Sequence, residues 1–171
     1  GVTAPIAKQS LYGAGFAFPG HTEFLGELTQ AHTYDGARGP IMMLAAPGLR
    51  VTLATVHLPI ARVPSALSIE SIVNAGLVTG QALRRDFRID RPRLAVAGLN
   101  PHAGEGGAIG REDIEIIAPA VRALKALGVD ASGPHPADTL FHPEARARYD
   151  AVLCMYHDQG QIALKLLGFE R

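Results

Sequence analysis

The chain has 171 residues, 47% hydrophobic and 19% charged, the balance of a soluble globular protein and not of a disordered one. Lysine plus arginine equals aspartate plus glutamate at 16 each, so no net field draws nucleic acid or an anionic membrane. No run approaches the roughly 20 apolar residues of a bilayer span, and the single cysteine, Cys154, excludes an internal disulfide and fits a reducing, cytoplasmic compartment.

Along the chain, Gly20-His21-Thr22-Glu23-Phe24 reads as a helix start that offers an imidazole and a hydroxyl where the helix dipole favours an anion; a plain hydroxyl cap is the alternative. Residues 41–44 and 51–56 read as strands, and Pro47-Gly48 between them predicts a tight turn and an antiparallel pair. Ser68 is a good N-cap for a helix that carries Ile69, Ile72, Val73, Leu77 and Leu83. A third strand covers 94–97. Glu112, Asp113 and Glu115 then open a second helix, with Ile114, Ile117, Val121, Leu124 and Leu127 at helical spacing and Gly128 as its stop. A strand near 129–132 and another over 151–155 follow, and the latter run buries Cys154 as an inert thiol. The strands are short and continuously apolar, as strands covered on both faces are. This predicts a layered α-β-α domain of the α/β class, with a mixed, mostly parallel sheet, as one unit over 1–171. The chain opens on Gly1-Val2-Thr3 without an initiating Met, so a longer parent is expected.

Three histidines take equivalent places. His57, His102 and His157 each follow a predicted strand, and ligands of α/β sheets gather outside the carboxyl ends of strands. Three imidazoles suit a divalent transition metal with coordination positions left open for substrate, although each alone is as well read as a hydrogen-bonded loop residue. Asn100-Pro101-His102-Ala103-Gly104-Glu105-Gly106-Gly107 is a glycine-rich loop able to present backbone N–H groups to an anion. Asp158, beside His157, is a candidate general base, an orienter of the imidazole or a helix cap. Lys165, seven residues on, is a phosphate contact or a surface lysine.

Six segments in order resemble the 4-hydroxythreonine-4-phosphate dehydrogenase family: Pro5-Ile6-Ala7-Lys8, Phe18-Pro19-Gly20-His21-Thr22-Glu23-Phe24, Ala54-Thr55-Val56-His57-Leu58-Pro59, the loop 100–107, Pro136-Ala137-Asp138-Thr139-Leu140-Phe141 and Met155-Tyr156-His157-Asp158-Gln159-Gly160. The resemblance implies an isocitrate/isopropylmalate dehydrogenase-like fold, of which this chain is the central metal- and substrate-binding, dimerising part. It implies a divalent metal (zinc, cobalt or magnesium) on His57, His102 and His157 at a homodimer interface, substrate contacts from His21, Thr22 and Lys165, and carboxylates Asp138 and Asp158 near the reacting group. The implied reaction is oxidation of 4-phosphooxy-L-threonine by NAD or NADP with loss of carbon dioxide, in pyridoxal phosphate biosynthesis. Most cofactor contacts are expected outside these residues. A paralogue acting on 4-phospho-threonate or 4-phospho-erythronate, and a catalytically silent metal-binding dimerisation fragment, are the competing expectations.

Overall fold

The structure, a computed structural model, describes residues 10, 13–18 and 21–168, and of residues 21–23 the backbone alone. The chain divides into two compact parts, Gly1–Thr33 and Tyr34–Arg171. The first holds helix α1 (His21–Thr29), which begins where the sequence predicts a helix start. Phe16, Phe18 and Phe24 form a tilted aromatic cluster with ring centres 5.2 to 5.4 Å apart.

The second part is a five-stranded sheet of β1 (Met43–Ala46), β2 (Leu49–Leu53), β3 (Arg93–Ala97), β4 (Asp130–His135) and β5 (Ala151–Cys154), in the order β1-β2-β5-β3-β4. β1 and β2 are antiparallel through the Pro47-Gly48 turn, and the other three pairings are parallel. Gly48 sits at φ +75°, a left-handed conformation that suits glycine after proline in a tight turn. The mixed, mostly parallel sheet expected from the apolar runs is therefore present.

Helices cover both faces. On one side lie α2 (Ile69–Arg85) and α3 (Ala118–Ala126), and on the other α4 (His157–Gly168) packs on β1 and β2. Alternation along each strand divides the core. Leu94, Val96, Ala151, Leu153 and Met155 join Ile72, Leu83, Val121 and Leu124 on the α2/α3 face. Val51, Leu53, Ala95, Val152 and Cys154 join Leu140, Tyr149 and Leu164 on the α4 face. In the central strands β5 and, after Arg93, β3, every position is thus buried, which is why they read as unbroken apolar runs. Ser68 caps α2 as predicted. Its hydroxyl accepts from Ser71 N at 3.0 Å, and the Ser71 hydroxyl accepts from Ser68 N at 3.1 Å.

Several boundaries differ from expectation. β1 lies two residues later than predicted because its pairing runs down to the turn. β2 leaves the sheet after Leu53, three residues early. The second predicted helix starts as a π-helical turn, Asp113–Ile117, before becoming α3. Pro119 explains that turn. It has no N–H to give Glu115, and the Ala118 N–H reaches back to Asp113 O in a wider turn. Among the described residues, no helix is long and apolar enough to cross a membrane.

Candidate active site

The carboxyl ends of β2, β3 and β5 lie side by side and deliver the predicted residues. After β2 the chain stays tied to β5: Ala54 N donates to Cys154 O at 2.8 Å, and Thr55 donates to Met155 O through its N–H and, at 2.6 Å, its hydroxyl. This keeps the segment beside β5 past the end of the ladder and places His57 next to His157, with ring centres 5.6 Å apart and planes tilted by 42°. The two imidazoles and Asp158 line an open cleft of about 360 Å³ together with Val56, Leu58, Ile60, Val63 and Tyr156.

His157 is the first residue of α4, and its Nδ1 lies 2.7 Å from Asp158 Oδ1. With Nδ1 so engaged, Nε2 is the ring nitrogen left for a ligand, the arrangement in which a carboxylate orients a metal-binding histidine. Two imidazoles on one tetrahedral ion, with metal–nitrogen bonds of about 2.0–2.1 Å, set their ring centres about 5–6 Å apart. The observed spacing therefore fits a shared cation. Among the described residues no group of three His, Cys, Asp or Glu side chains gathers at metal-binding distance, so the described residues bring two imidazoles together and not three.

His102 lies in the loop after β3, and the backbone there is unusual. His102, Ala103, Gly104, Glu105 and Gly106 all have positive φ, between 44° and 83°, and together form a left-handed turn. Each non-glycine residue in that conformation costs roughly 1–2 kcal/mol, and three of the five are not glycine. Such a turn persists only when its surroundings hold it. Asp113 is the main anchor. Its carboxylate, 1% exposed, accepts from Leu99 N at 2.8 Å, Asn100 N at 3.1 Å and Asn100 Nδ2 at 2.9 Å. Asn100 Nδ2 also donates to Glu112, whose carboxyl is held below its ordinary range by its own backbone N–H and then by this amide. A side chain on Gly98 would meet Asp113 Oδ1 at 2.7 Å, so that position requires glycine. His102 itself is exposed, with Nδ1 3.4 Å from Glu105 Oε2.

The remaining predicted residues are more dispersed. Asp138 is exposed in the short turn Ala137–Thr139 after the edge strand β4. Asp158 and Lys165 are both exposed on α4, seven residues and thus about 10 Å of helix axis apart on one side of it. The backbone of His21 and Thr22 opens α1, and their side chains lie outside the described residues. Cys154 is fully buried, and desolvation pushes its thiol well above the ordinary range, the inert state its apolar run predicts. Sequence reasoning passed over two residues of consequence, Asp113 and Gln159. Asp113 was legible only as a helix-dipole charge. The Gln159 amide accepts from Met155 N and donates to Gly98 O, both at 2.7 Å.

Residues 1–171 match the family model described as "Pyridoxal phosphate biosynthetic protein PdxA". The chain is 73% identical over 168 residues to 4-hydroxythreonine-4-phosphate dehydrogenase of Caulobacter vibrioides, covering 98% of this chain and 50% of that protein. It is 58% identical to the enzyme of the same name from Maricaulis maris, over 98% of this chain and 49% of the relative. A crystal structure of 4-hydroxythreonine-4-phosphate dehydrogenase from Klebsiella pneumoniae superimposes with a TM-score of 0.85 at 47% identity, over 98% of this chain and 48% of that one. The chain thus spans about half the length of the relatives it matches.

Proposed function

The chain belongs to the pyridoxal phosphate biosynthetic PdxA family, and from that membership and the paired imidazoles of His57 and His157 we propose that it is the metal- and substrate-binding part of a 4-hydroxythreonine-4-phosphate dehydrogenase. In this reading 4-phosphooxy-L-threonine is oxidised at its secondary alcohol and loses carbon dioxide to give 3-amino-2-oxopropyl phosphate. The observation that carries it is the 5.6 Å spacing of two rings on adjacent strand ends, one of them oriented by a carboxylate.

His57, His102 and His157 hold a divalent ion at a homodimer interface, the three drawn from both copies, since one chain does not gather three ligands among its described residues. That ion supplies Lewis acidity at the substrate's alcohol oxygen, and an all-imidazole donor set favours zinc or cobalt over magnesium. NAD or NADP supplies the hydride acceptor, held largely by residues beyond these 171.

The chain's own side chains do the rest. Asp158 fixes the His157 tautomer through Nδ1 and lines the cleft, where it serves as an acceptor for the proton leaving the alcohol. Asp138 is the second carboxylate of the reading, a proton acceptor brought to the substrate in the assembled enzyme. Lys165, on the same side of α4 as Asp158, meets the phosphate as a point charge, and His21 and Thr22 are further substrate contacts of this reading. Leu58, Ile60 and Val63 line the cleft with apolar surface that limits water around the reacting carbon. The setting is cytoplasmic, in keeping with one buried, reduced cysteine.

The test pairs chemistry with metal content in the intact protein. NADH formation on 4-phosphooxy-L-threonine is expected to exceed that on 4-phospho-threonate or 4-phospho-erythronate; a preference for a sugar acid overturns the substrate assignment. His102→Ala is expected to remove nearly all bound metal by elemental analysis, and unchanged stoichiometry overturns the ligand set.

A further inference from the structure

We propose that Gln159, working with Asp113, is a positioning residue that clamps the His102 loop to the His157 end of β5. This deepens the metal-site reading above and rests on it.

The segment 98–100 leaves β3 and leads directly into the left-handed turn that carries His102. All of its backbone N–H groups are taken by fixed partners: Gly98 N donates to His135 O, and Leu99 N and Asn100 N donate to the buried Asp113 carboxylate. On the other side, the Gly98 carbonyl accepts from Gln159 Nε2, while Gln159 Oε1 accepts from Met155 N. Gln159 lies two residues after His157, and Met155 two residues before it. One amide therefore ties the start of the His102 loop to the backbone on both sides of His157. Asp113 holds the same loop from the π-helical turn ahead of α3.

The residue type is demanding. An amide side chain carries its acceptor and its donor on two separate atoms, so its oxygen can take one backbone N–H while its nitrogen donates to a backbone carbonyl on a different strand end. Glutamate would keep the bond from Met155 and lose the one to Gly98, and methionine would lose both. A residue with that double contact between two strand ends fixes the distance between the elements that present the histidines. The turn 102–106 has no regular ladder to hold it, so its place depends on these contacts more than that of a strand does.

The experiment uses the intact protein and two readouts. Amide hydrogen exchange at Leu99, Asn100 and Ala103, measured without metal, tests the clamp itself. Cobalt(II) titration followed by visible absorption tests what the clamp does for the ligands. Gln159→Met is expected to speed exchange at these amides at least tenfold, to weaken cobalt binding by about tenfold or more and to shift the cobalt spectrum. Ile72→Val, a core trimming on the far face of the sheet, serves as a control for general loss of stability and is expected to change neither. Exchange rising no more than in the control overturns the proposal, and so does faster exchange with unchanged cobalt affinity and spectrum. Should Gln159→Met fail to fold, Gln159→Glu carries the same test through the Gly98 bond alone, with the same criteria. A wild-type protein that binds no cobalt sinks the metal reading instead, and exchange still decides whether the clamp exists.

Discussion

The two faces of the sheet bury comparable sets of strand side chains, yet they meet their helices in different ways. On the α2/α3 face, Ile72, Leu83, Val121 and Leu124 are all within 2% of full burial, and α2 begins at a reciprocal serine cap. On the α4 face the helix comes so close that Gly160 leaves no room for a methyl group, Gln161 is 2% exposed with no partner for either side-chain heteroatom among the described residues, and Ile162 and Leu166 remain 60% and 81% exposed. The difference follows from what α4 carries. Its first turn must set His157, Asp158 and Gln159 at the end of β5, which fixes the helix in place whether or not its later residues pack well. A helix positioned by its first turn tolerates poor choices afterwards; one positioned by its whole apolar stripe does not.

Glycine substitutions offer the largest expected break of that comparison. A Cβ at Gly160 runs into Val51 Cγ1 and stands 2.9 Å from Cys154 Sγ, both on the rigid sheet. Gly160→Ala is expected to cost about 2 kcal/mol, an overpacking loss of up to about 3 offset by about 1 of helix propensity. The melting temperature falls by roughly 4–8 °C. Gly76→Ala on α2 meets the Leu124 side chain alone, its methyl ends at 2.7 Å and Cγ at 3.2 Å, which can shift together, and the propensity gain keeps it within about 1 kcal/mol of the parent. Equal melting temperatures for the two variants would remove the distinction between the faces.

A smaller effect of opposite sign is expected at Gln161. Burying an amide with no hydrogen-bond partner costs about 1–3 kcal/mol, and methionine has nearly the same volume and flexibility. Gln161→Met is expected to raise stability by about 1 kcal/mol in a denaturant titration, with cobalt binding unchanged. Destabilisation would mean that Gln161 has a polar partner in the assembled protein.

The same contrast separates what the sequence discloses from what it hides. The strands were legible because two-sided burial writes itself as unbroken apolar runs, the turn because Pro47-Gly48 admits few conformations, and the α2 cap because Ser68 precedes a helical period. His57, His102 and His157 were legible as residues that follow strands. The left-handed turn at 102–106 was not, since three of its residues are ones that ordinarily avoid positive φ, and only contacts distant in sequence hold them there. The π-helical turn before Pro119 hid the role of Asp113 by turning an apparent dipole charge into a buried acceptor. Gln159 was hidden for a related reason: its two partners, Met155 and Gly98, become neighbours only once β5 and β3 pair.

The smallest effect should appear at the opposite end of the parallel strands, away from the histidines. There Asp150 accepts from Arg93 N at 2.8 Å, Nε at 3.2 Å and Nη2 at 3.1 Å, joining the start of β3 to the start of β5. Burial alone would raise the Asp150 carboxyl, but the Arg93 hydrogen bonds outweigh it and hold the group below its ordinary range. A depressed folded value means that the ionised form is favoured by folding. The contribution is therefore complete above the unfolded carboxyl value of about 4 and is lost as the pH falls below it through the folded value. Because Arg93 is 45% exposed, solvent screening limits the pair to about 1 kcal/mol. Asp150→Asn is expected to lower stability by that amount at pH 7, to converge with the parent as the pH falls through the folded value, and to leave cobalt affinity where it was. A change in metal binding would show that the two ends of the sheet are coupled through β3 and β5, and that the site depends on more of the scaffold than its own strand ends and clamp.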